Sequence, residues 1–567
     1  MTEKMKTNQK SAIYDFLKKN GYKIVLGIVF IALIVKMSYS CYGDSISGDE
    51  YFSMGFANNT EDFLFLSLGA VEKYGEENWI TGEFLHDWIS VQEDGRFAIM
   101  SIHRNVRDDV HPPLYFMLLN CLSSFFVDEV TLFPGHLINV IAGTVLCALM
   151  YLVMRKIFKD KWLALIPPLL WVTSIGGRYT VNYVRMYAPF CALAMLCIYL
   201  HILYMEQKEN KIWLNVCLFG CTIVGTLTHY YYYIVQMVLF IVMLAILLYR
   251  KQIKKLFFYG MSLLGGELIS VAAYPYVINH LLFSERGVQV QENLANNNLD
   301  YYRDFFHSFM YTFNEGVYNL HFKEVFVVFL VCLVLAVVIH FLVKKQVLSV
   351  PQAESATLEK SIFVKNTGKY NFFVIAVVAL GYFLILFKIS YSSRWLYISP
   401  IFPIIGMVTV GLFAFVISKM PIRNYGVFLF IAGIILFGPN IGKAVKEGIE
   451  LHNDIEKQHE EVVAYSDDCD VLFFYDIWNN LYGNQILEMM EFDQIRAISV
   501  EDMNETNYQE ILESRHDGDN FVFYIPVEVT DYQEKIADVT EKLGADSCQL
   551  IREGEEFAIF YVEMQQE

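Results

Sequence analysis

The sequence predicts a polytopic α-helical membrane protein of about eleven spans, within a range of about eleven to thirteen, with a small C-terminal extracytoplasmic α/β domain. Three observations carry that reading. Hydrophobic residues make up 55% of the 567 and aromatic ones 16%, a composition that soluble domains rarely show. The apolar residues gather into repeated long runs. The charge is segregated: residues 443–567 hold 31 acids against 8 bases, a balance of −23, so with −18 overall the first 442 residues are slightly basic at +5. An acidic tail without a basic patch argues against a nucleic-acid partner.

Residues 1–21 are polar and lysine-rich and are read as a cytoplasmic N-terminus. The run "IVLGIVFIALIVKMSYSCY" (24–42) follows, with no small-residue cleavage site, and reads as an uncleaved signal anchor. Further apolar segments centre near residues 145, 169, 195, 220, 240, 268, 333, 380, 406 and 432. The connectors "MRKIFKDK" (154–161), "EQKENK" (206–211), "YRKQIKK" (249–255), "VKKQ" (343–346) with "EKSIFVKNTGK" (359–369), and "SKMPIR" (418–423) are basic and belong on the cytoplasmic side. Residues 22–442 then form the membrane domain, with the 41–133 loop, the 283–320 loop and the tail on the outer side. "HPPLYFMLLNCLSSFFV" (111–127) is short for a hydrocarbon core of ~30 Å and reads as an interfacial or re-entrant helix. A full crossing there would need a compensating change elsewhere.

Residues 443–567 read as an acidic α/β domain. "DVLFFYD" (470–476), "IRAISV" (495–500), "NFVFYIPV" (520–527) and "FAIFYVE" (557–563) have strand character; "IWNNLYGNQILEMM" and "DYQEKIADVTEKLG" have helix character. Most of the ten cysteines lie in apolar runs, without metal-ligand spacing. Cys469 and Cys548 lie in the tail, where a disulfide would form only in an oxidising compartment.

The candidate chemistry sits at the predicted outer ends of the spans. "SISGDEYFSMGFANN" (45–59) places Asp49 and Glu50 just past the first apolar run. Adjacent loop acids are usually solvated, but a carboxylate at the membrane surface can be partly desolvated and serve as a base. "RNVRDDVHPPLYF" (104–116) places Asp109 and His111 before a proline-started helix. "GGRYTVNYVRMYAPF" (176–190) puts Arg178 and Arg185 at an outer hairpin, where the positive-inside bias disfavours them. They point to an anionic partner such as phosphate, or to pairing with a first-loop acid. "GTLTHYYYYIVQ" (225–236) carries His229 among tyrosines that also suit an interfacial belt, and "SYSSRWLYISPIFP" (390–403) carries Arg394 at another outer mouth.

Taken together, "GDEYF", "DVHPPLYF", "RMYAPF", "THY" and "RWLYISPIFP" resemble, in order over residues 22–417, the GT-C membrane glycosyltransferases. The closest branch is that of the protein O-mannosyltransferases and the aminoarabinose and related polyprenyl-phosphate-sugar transferases. The resemblance implies a hexosyl- or pentosyltransferase that moves a sugar from a polyprenyl-phosphate donor by inversion on the extracytoplasmic face of the cell membrane. It implies Asp49 as general base with Glu50 its companion, and His111, Arg185, Tyr187 and Arg394 toward the donor phosphate, with Asp109 and His229 as further substrate contacts. Where relatives often carry glutamate two residues before the signature arginine, this chain has Tyr183, which removes the support for a role of that acid. A divalent metal is compatible with the chemistry and not required by it, because a polyprenyl phosphate is already a good leaving group; Asp109 would be a ligand if one binds. The acceptor is a protein, a lipid-linked glycan or a cell-wall polymer.

Two other classes remain open on sequence. A transporter or flippase for lipid-linked glycans would show inverted repeats with charges at mid-membrane, which the sequence lacks. A polymerase or ligase of lipid-linked glycans would share the arginines but need not begin with the paired acids.

Overall fold

The computed structural model describes residues 46–60, 79–107, 109–295, 322–345, 362–390, 395–420, 425–437, 456–475, 485–514, 520–554 and 556–565, with a few isolated positions. The predicted first span and Arg394 lie outside them. The chain divides into two compact units. One comprises residues 1–38, 110–114 and 136–446; the other comprises 39–109, 115–135 and 447–567.

The first unit is helical. Five of its helices are long and apolar enough to cross a membrane: Phe133–Ile157 (α1), Tyr187–Glu206 (α2), Tyr232–Tyr249 (α4), Ile253–Ala273 (α5) and Gly368–Ile389 (α6), with Ile212–Thr228 (α3) and Ile401–Ile417 (α7) shorter. At 1.5 Å per residue the five rise about 27–37 Å, enough for a ~30 Å core. Among the described residues these five are the helices of spanning length, and the expected count of about eleven is not confirmed. The run centred on residue 169 departs from a single span. It forms Leu163–Thr173, breaks at Ser174, and resumes as Ile175–Asn182, so one hydropathy peak corresponds to two short helical pieces. Leu114–Ser123 has ten residues, about 15 Å, and by length cannot cross alone.

Packing follows sequence periodicity. On α5, Phe257, Met261, Leu264 and Leu268 fall on one stripe and are exposed, as lipid-facing side chains must be. On the opposite face Tyr259, Ser262, Gly266 and Ser270 are buried. Gly266 lies against Thr222 of α3, where a Cβ would meet the threonine side chain at 2.8 Å. Small residues let these two helices approach closely without a hydrophobic driving force between them.

One end of the bundle gathers the basic connectors. Lys156 at the end of α1 contacts Glu206 at the end of α2 (2.7 Å), and Asn371 at the start of α6 donates to Glu206 (3.0 Å) and to the Lys156 carbonyl (3.0 Å). Lys255 donates to the carbonyls of Tyr204 (2.7 Å) and Gln207 (2.6 Å), and Arg250 to that of Met205 (2.9 Å). Phe158 bridges to Phe363. Four of the five basic connectors read from the sequence therefore meet at one end.

The second unit joins the first-loop helices to a five-stranded sheet. The strands are β1 (Cys469–Tyr475), β2 (Ile495–Ser499), β3 (Asn520–Pro526), β4 (Ala545–Glu553) and β5 (Phe557–Met564), in the order β2-β1-β3-β5-β4. The first three are parallel, and β5 pairs antiparallel with β3 and with β4. β1 is buried at every position, as expected of a central parallel strand. Strand β4 escaped the sequence reading because its pattern is mostly exposed. Cys469 on β1 and Cys548 on β4 are both free, and two strands stand between theirs, so they lie about 14 Å apart. That exceeds any disulfide span and rules out the pairing considered from sequence.

The first loop docks on the sheet through its backbone. Ile80 and Ile495 exchange N–H···O bonds (2.9 and 2.8 Å), Gly82 N–H donates to the Phe492 carbonyl (2.9 Å), and the Trp79 indole donates to Ser514 (3.0 Å). A Cβ on Gly82 would collide with the carbonyl oxygens of Met490 and Phe492. Since one folded unit cannot straddle a bilayer, first loop and tail share a side. Gly82→Val should separate them at a cost of about 1–3 kcal/mol. Limited proteolysis of the detergent-solubilised protein should cut the first loop faster in the variant; unchanged cleavage would show that the loop does not depend on this contact.

Candidate functional site

The "RMYAPF" stretch forms the turn that joins Ile175–Asn182 to α2. The Tyr183 carbonyl accepts the Arg185 N–H (2.7 Å) and the Asn139 amide from α1 (2.6 Å), which fixes the turn to a neighbouring helix. Arg185 is only 4% exposed. Tyr187 begins α2, stacks with Tyr183 at 6.3 Å and is buried. Pro189 falls in the first turn of that helix, where its missing N–H leaves no bond unmade. Arg178 differs from Arg185: it is half-buried and its guanidinium lies 5.3 Å from the ring of Tyr179.

His229 terminates α3. Its Nδ1 accepts the Tyr231 N–H (3.1 Å), so the ring proton of the neutral form sits on Nε2. The imidazole lies parallel to Phe190 at 4.6 Å and 5.5 Å from Tyr187. Burial first, then the charges of His111 and Arg185, hold it well below the usual imidazole range. His229 is thus a neutral N–H donor close to His111 and the Arg185 guanidinium. His111 is half-buried and is followed by the buried Pro112 and Pro113.

His111 and His229 border a cavity of about 570 Å³, lined also by Tyr230, Tyr231, Tyr233, His280, Arg286 and Tyr397, with no carboxylate among its described lining residues. Two of its basic groups were not singled out from sequence. His280 is 3% exposed and meets the Tyr230 hydroxyl at 2.8 Å; Arg286 is exposed one short helix later. The signal was available: both follow an apolar run at the end away from the basic connectors, as Arg185 does.

The structure therefore brings together His111, Arg185, Tyr187 and His229. Asp49, Glu50 and Asp109 belong to the other compact unit, and Arg394 is outside the described residues. The paired acids are not in a loop. They occupy the first turn of Gly48–Asn58, and the Ser47 N–H and hydroxyl both donate to Glu50 Oε2 (3.1 and 2.8 Å). Ser-Gly-Asp-Glu is thus a capping box, a signal present in the sequence as S-x-x-E. Glu50 is buried in that role, while Asp49 is half-buried. Among the described residues, the one grouping of His and acid side chains with metal-ligand spacing is His86, Asp87 and Asp128, which does not include Asp109.

Comparison with known proteins finds no matching family model and no matching curated protein. Among solved structures, ArnT from Cupriavidus metallidurans bound to undecaprenyl phosphate overlaps at 10% identity and a TM-score of 0.48, over 96% of this chain and 98% of that one. The same protein in the apo state overlaps at 9% identity and 0.45, over 96% and 98%. Overlap this loose, with about a tenth of residues identical, does not establish a shared fold or activity.

A neutral buried His229 has a consequence for stability. Below about pH 6.5 the unfolded chain takes up a proton that the folded protein refuses, so stability falls as pH falls. Melting temperature should decline on acidification from pH 7.5 to 5, and His229→Gln should flatten that slope. An unchanged slope in the variant would place the acid sensitivity elsewhere.

Proposed function

We propose that this chain is a membrane glycosyltransferase of the GT-C type, which moves a sugar from a polyprenyl-phosphate donor to an acceptor on the extracytoplasmic face. The observation that supports it most is the cavity at the end of the apolar bundle opposite the basic connectors. Its described lining carries histidine, arginine and tyrosine and no carboxylate, and buried Arg185 lies close to His229. A set of donors held in a water-poor site favours an oxyanion, and it favours it more as negative charge develops on a departing phosphate. Arg185 suits phosphate through its planar fork, and Arg394 is assigned the same role from its motif.

The reaction follows from those parts. The acceptor hydroxyl attacks the anomeric carbon from the face opposite phosphate. The new C–O bond forms as the old one breaks, and its electron pair leaves with the polyprenyl phosphate. The hydroxyl proton passes to a carboxylate. Asp49 is the proposed base, because Glu50 is occupied in capping its own helix. Tyr187, His111 and His229 are proposed substrate contacts, and Asp109 a further one.

With the basic connectors cytoplasmic, the cavity faces outward. In intact cells an impermeant maleimide should label Asp546→Cys in the tail at once and Lys208→Cys only after permeabilisation. The opposite pattern would invert the protein.

Transfer from polyprenyl-phosphate sugars, assayed in membranes, tests the chemistry. Asp49→Asn should lower turnover by roughly 10²–10⁴-fold with donor binding unchanged. Glu50→Gln should act mainly on stability, at about 0.5–2 kcal/mol. Arg185→Ala should weaken donor binding by about 1.5–3 kcal/mol, with lysine restoring only part. Near-normal turnover in Asp49→Asn would remove it as the base, and normal donor binding in Arg185→Ala would make that arginine structural.

A further inference from the structure

The second unit buries most of its large apolar side chains. Among its described residues six are exposed: Leu550 in the sheet, and Phe97, Ile99, Met100, Leu118 and Phe125 from two stretches of the first loop. Met100 is 79% exposed and Phe125 69%, far more than a water-facing surface ordinarily grants such residues together. The two stretches are pinned to one another. The Phe97 N–H donates to Ser124 Oγ (2.9 Å), the Ser124 hydroxyl donates to the Asn120 carbonyl (2.7 Å), and the Phe97 and Phe125 rings meet edge to face at 5.9 Å. Leu118 and half-buried Leu122 fall one turn apart on the stripe of Leu114–Ser123 that leads to Phe125, while Tyr115, Phe116 and Leu119 of that helix are buried. Phe97 has a φ of 53°, a left-handed conformation that a bulky residue adopts only at a cost. That cost is borne at a ring which stays exposed, so packing within the unit does not account for it.

The patch adjoins the start of a span. Phe126, next to Phe125, packs its ring on that of Phe133 at 5.6 Å, and Phe133 is the first residue of α1. With 25 residues α1 rises about 37 Å against a hydrocarbon core of ~30 Å, so its first residue falls near the boundary between core and headgroups. Aromatic and aliphatic side chains partition into that layer. Charged groups keep to the edges of the patch. Glu93 and Asp94 precede it, Asp128 and Glu129 follow it, and all four are exposed. Arg96 pairs with Glu93 (3.0 Å) and its guanidinium lies 5.9 Å from the Phe97 ring.

We propose that Phe97, Ile99, Met100, Leu118 and Phe125 form a face that seats the first loop in the bilayer, with these side chains in the layer between headgroups and acyl chains beside the start of α1. The flanking acids stay in water and limit how deep the face can sink. The seat reaches the helix that carries Asp49 and Glu50. Asn105, the last residue of Ile99–Asn105, donates to the carbonyls of Phe56 (3.2 Å) and Asn59 (2.7 Å) at the end of Gly48–Asn58. Lipid that holds the first of these helices therefore sets the height of the second above the membrane. The seat holds whether or not the chain transfers sugar.

Full-length protein in phospholipid nanodiscs tests it. A nitroxide is attached at Met100→Cys, at Phe125→Cys and, as a water-facing reference, at Asp94→Cys, each in a background without the native cysteines. Oxygen concentrates in lipid and a nickel chelate stays in water, so the ratio of their collision rates with the nitroxide reads its surroundings. That ratio should be higher at Met100 and Phe125 than at Asp94. An equal or lower ratio would put the patch in water, and slow collision with both reagents would put it against protein, a second copy of this chain or another partner. Either result overturns the proposal. Where the cysteine-free background does not fold, p-benzoylphenylalanine in place of Met100 in the otherwise native chain reads the same contact on irradiation. Phospholipid adducts support the seat; adducts confined to protein, or none, overturn it.

Discussion

The first compact unit depends on the sorting of polar groups to the two ends of an apolar bundle. Lipid offers no partner to a carbonyl, an ammonium or a carboxylate, so helix ends, loops and charges are satisfied by one another or stay out of it. At one end, Glu206 takes a proton-rich pair, Lys156 and Asn371, while Lys255 caps carbonyls at the end of α2. These contacts fix which helix ends lie side by side. Each helix that starts there then delivers its far terminus to the other end, which is why His229 and Ser390, far apart in sequence, line one cavity and Arg185 lies close to His229.

That second end solves a harder problem. The Arg185 guanidinium and His111 lie close to a buried imidazole, and positive charge on that imidazole is disfavoured. His229 gives way: its Nδ1 is held by the Tyr231 N–H, its ring lies on Phe190, and burial keeps it neutral. The result is a donor without charge beside donors with it.

Legibility in the sequence followed the length and purity of each signal. The long apolar helices and the basic connectors could be read because hydropathy and charge sum over many residues. Four strands could be read because burial made them continuous apolar runs; β4, exposed at most positions, left no such trace. The 163–182 region misled because hydropathy does not register a backbone break at Ser174. His111, Arg185, Tyr187 and His229 could be picked out as basic or aromatic groups at span ends. His280 and Arg286 escaped because no motif surrounds them, although their positions obey the same rule. Arg394 lies outside the described residues, so its role stands on its motif alone.

The paired acids show what a structure adds to a motif. Read as sequence, Asp49 and Glu50 are interchangeable neighbours, and adjacent carboxylates titrate as a pair. The helix separates them. Glu50 turns back to Ser47 and closes the cap, so its lone pairs are engaged and its side chain is buried. Asp49, one position earlier, lies a hundred degrees away around the helix axis and cannot share that partner. The helix N-terminus favours negative charge in this first turn. The proposed sugar transfer does not call for a strong base. An alcohol is far too weak an acid to be deprotonated beforehand by any carboxylate, but its proton becomes acidic as the oxygen bonds to the anomeric carbon. In the proposed transfer a base held in place is then worth more than a strong one, and the capping of Glu50 holds the turn that carries Asp49.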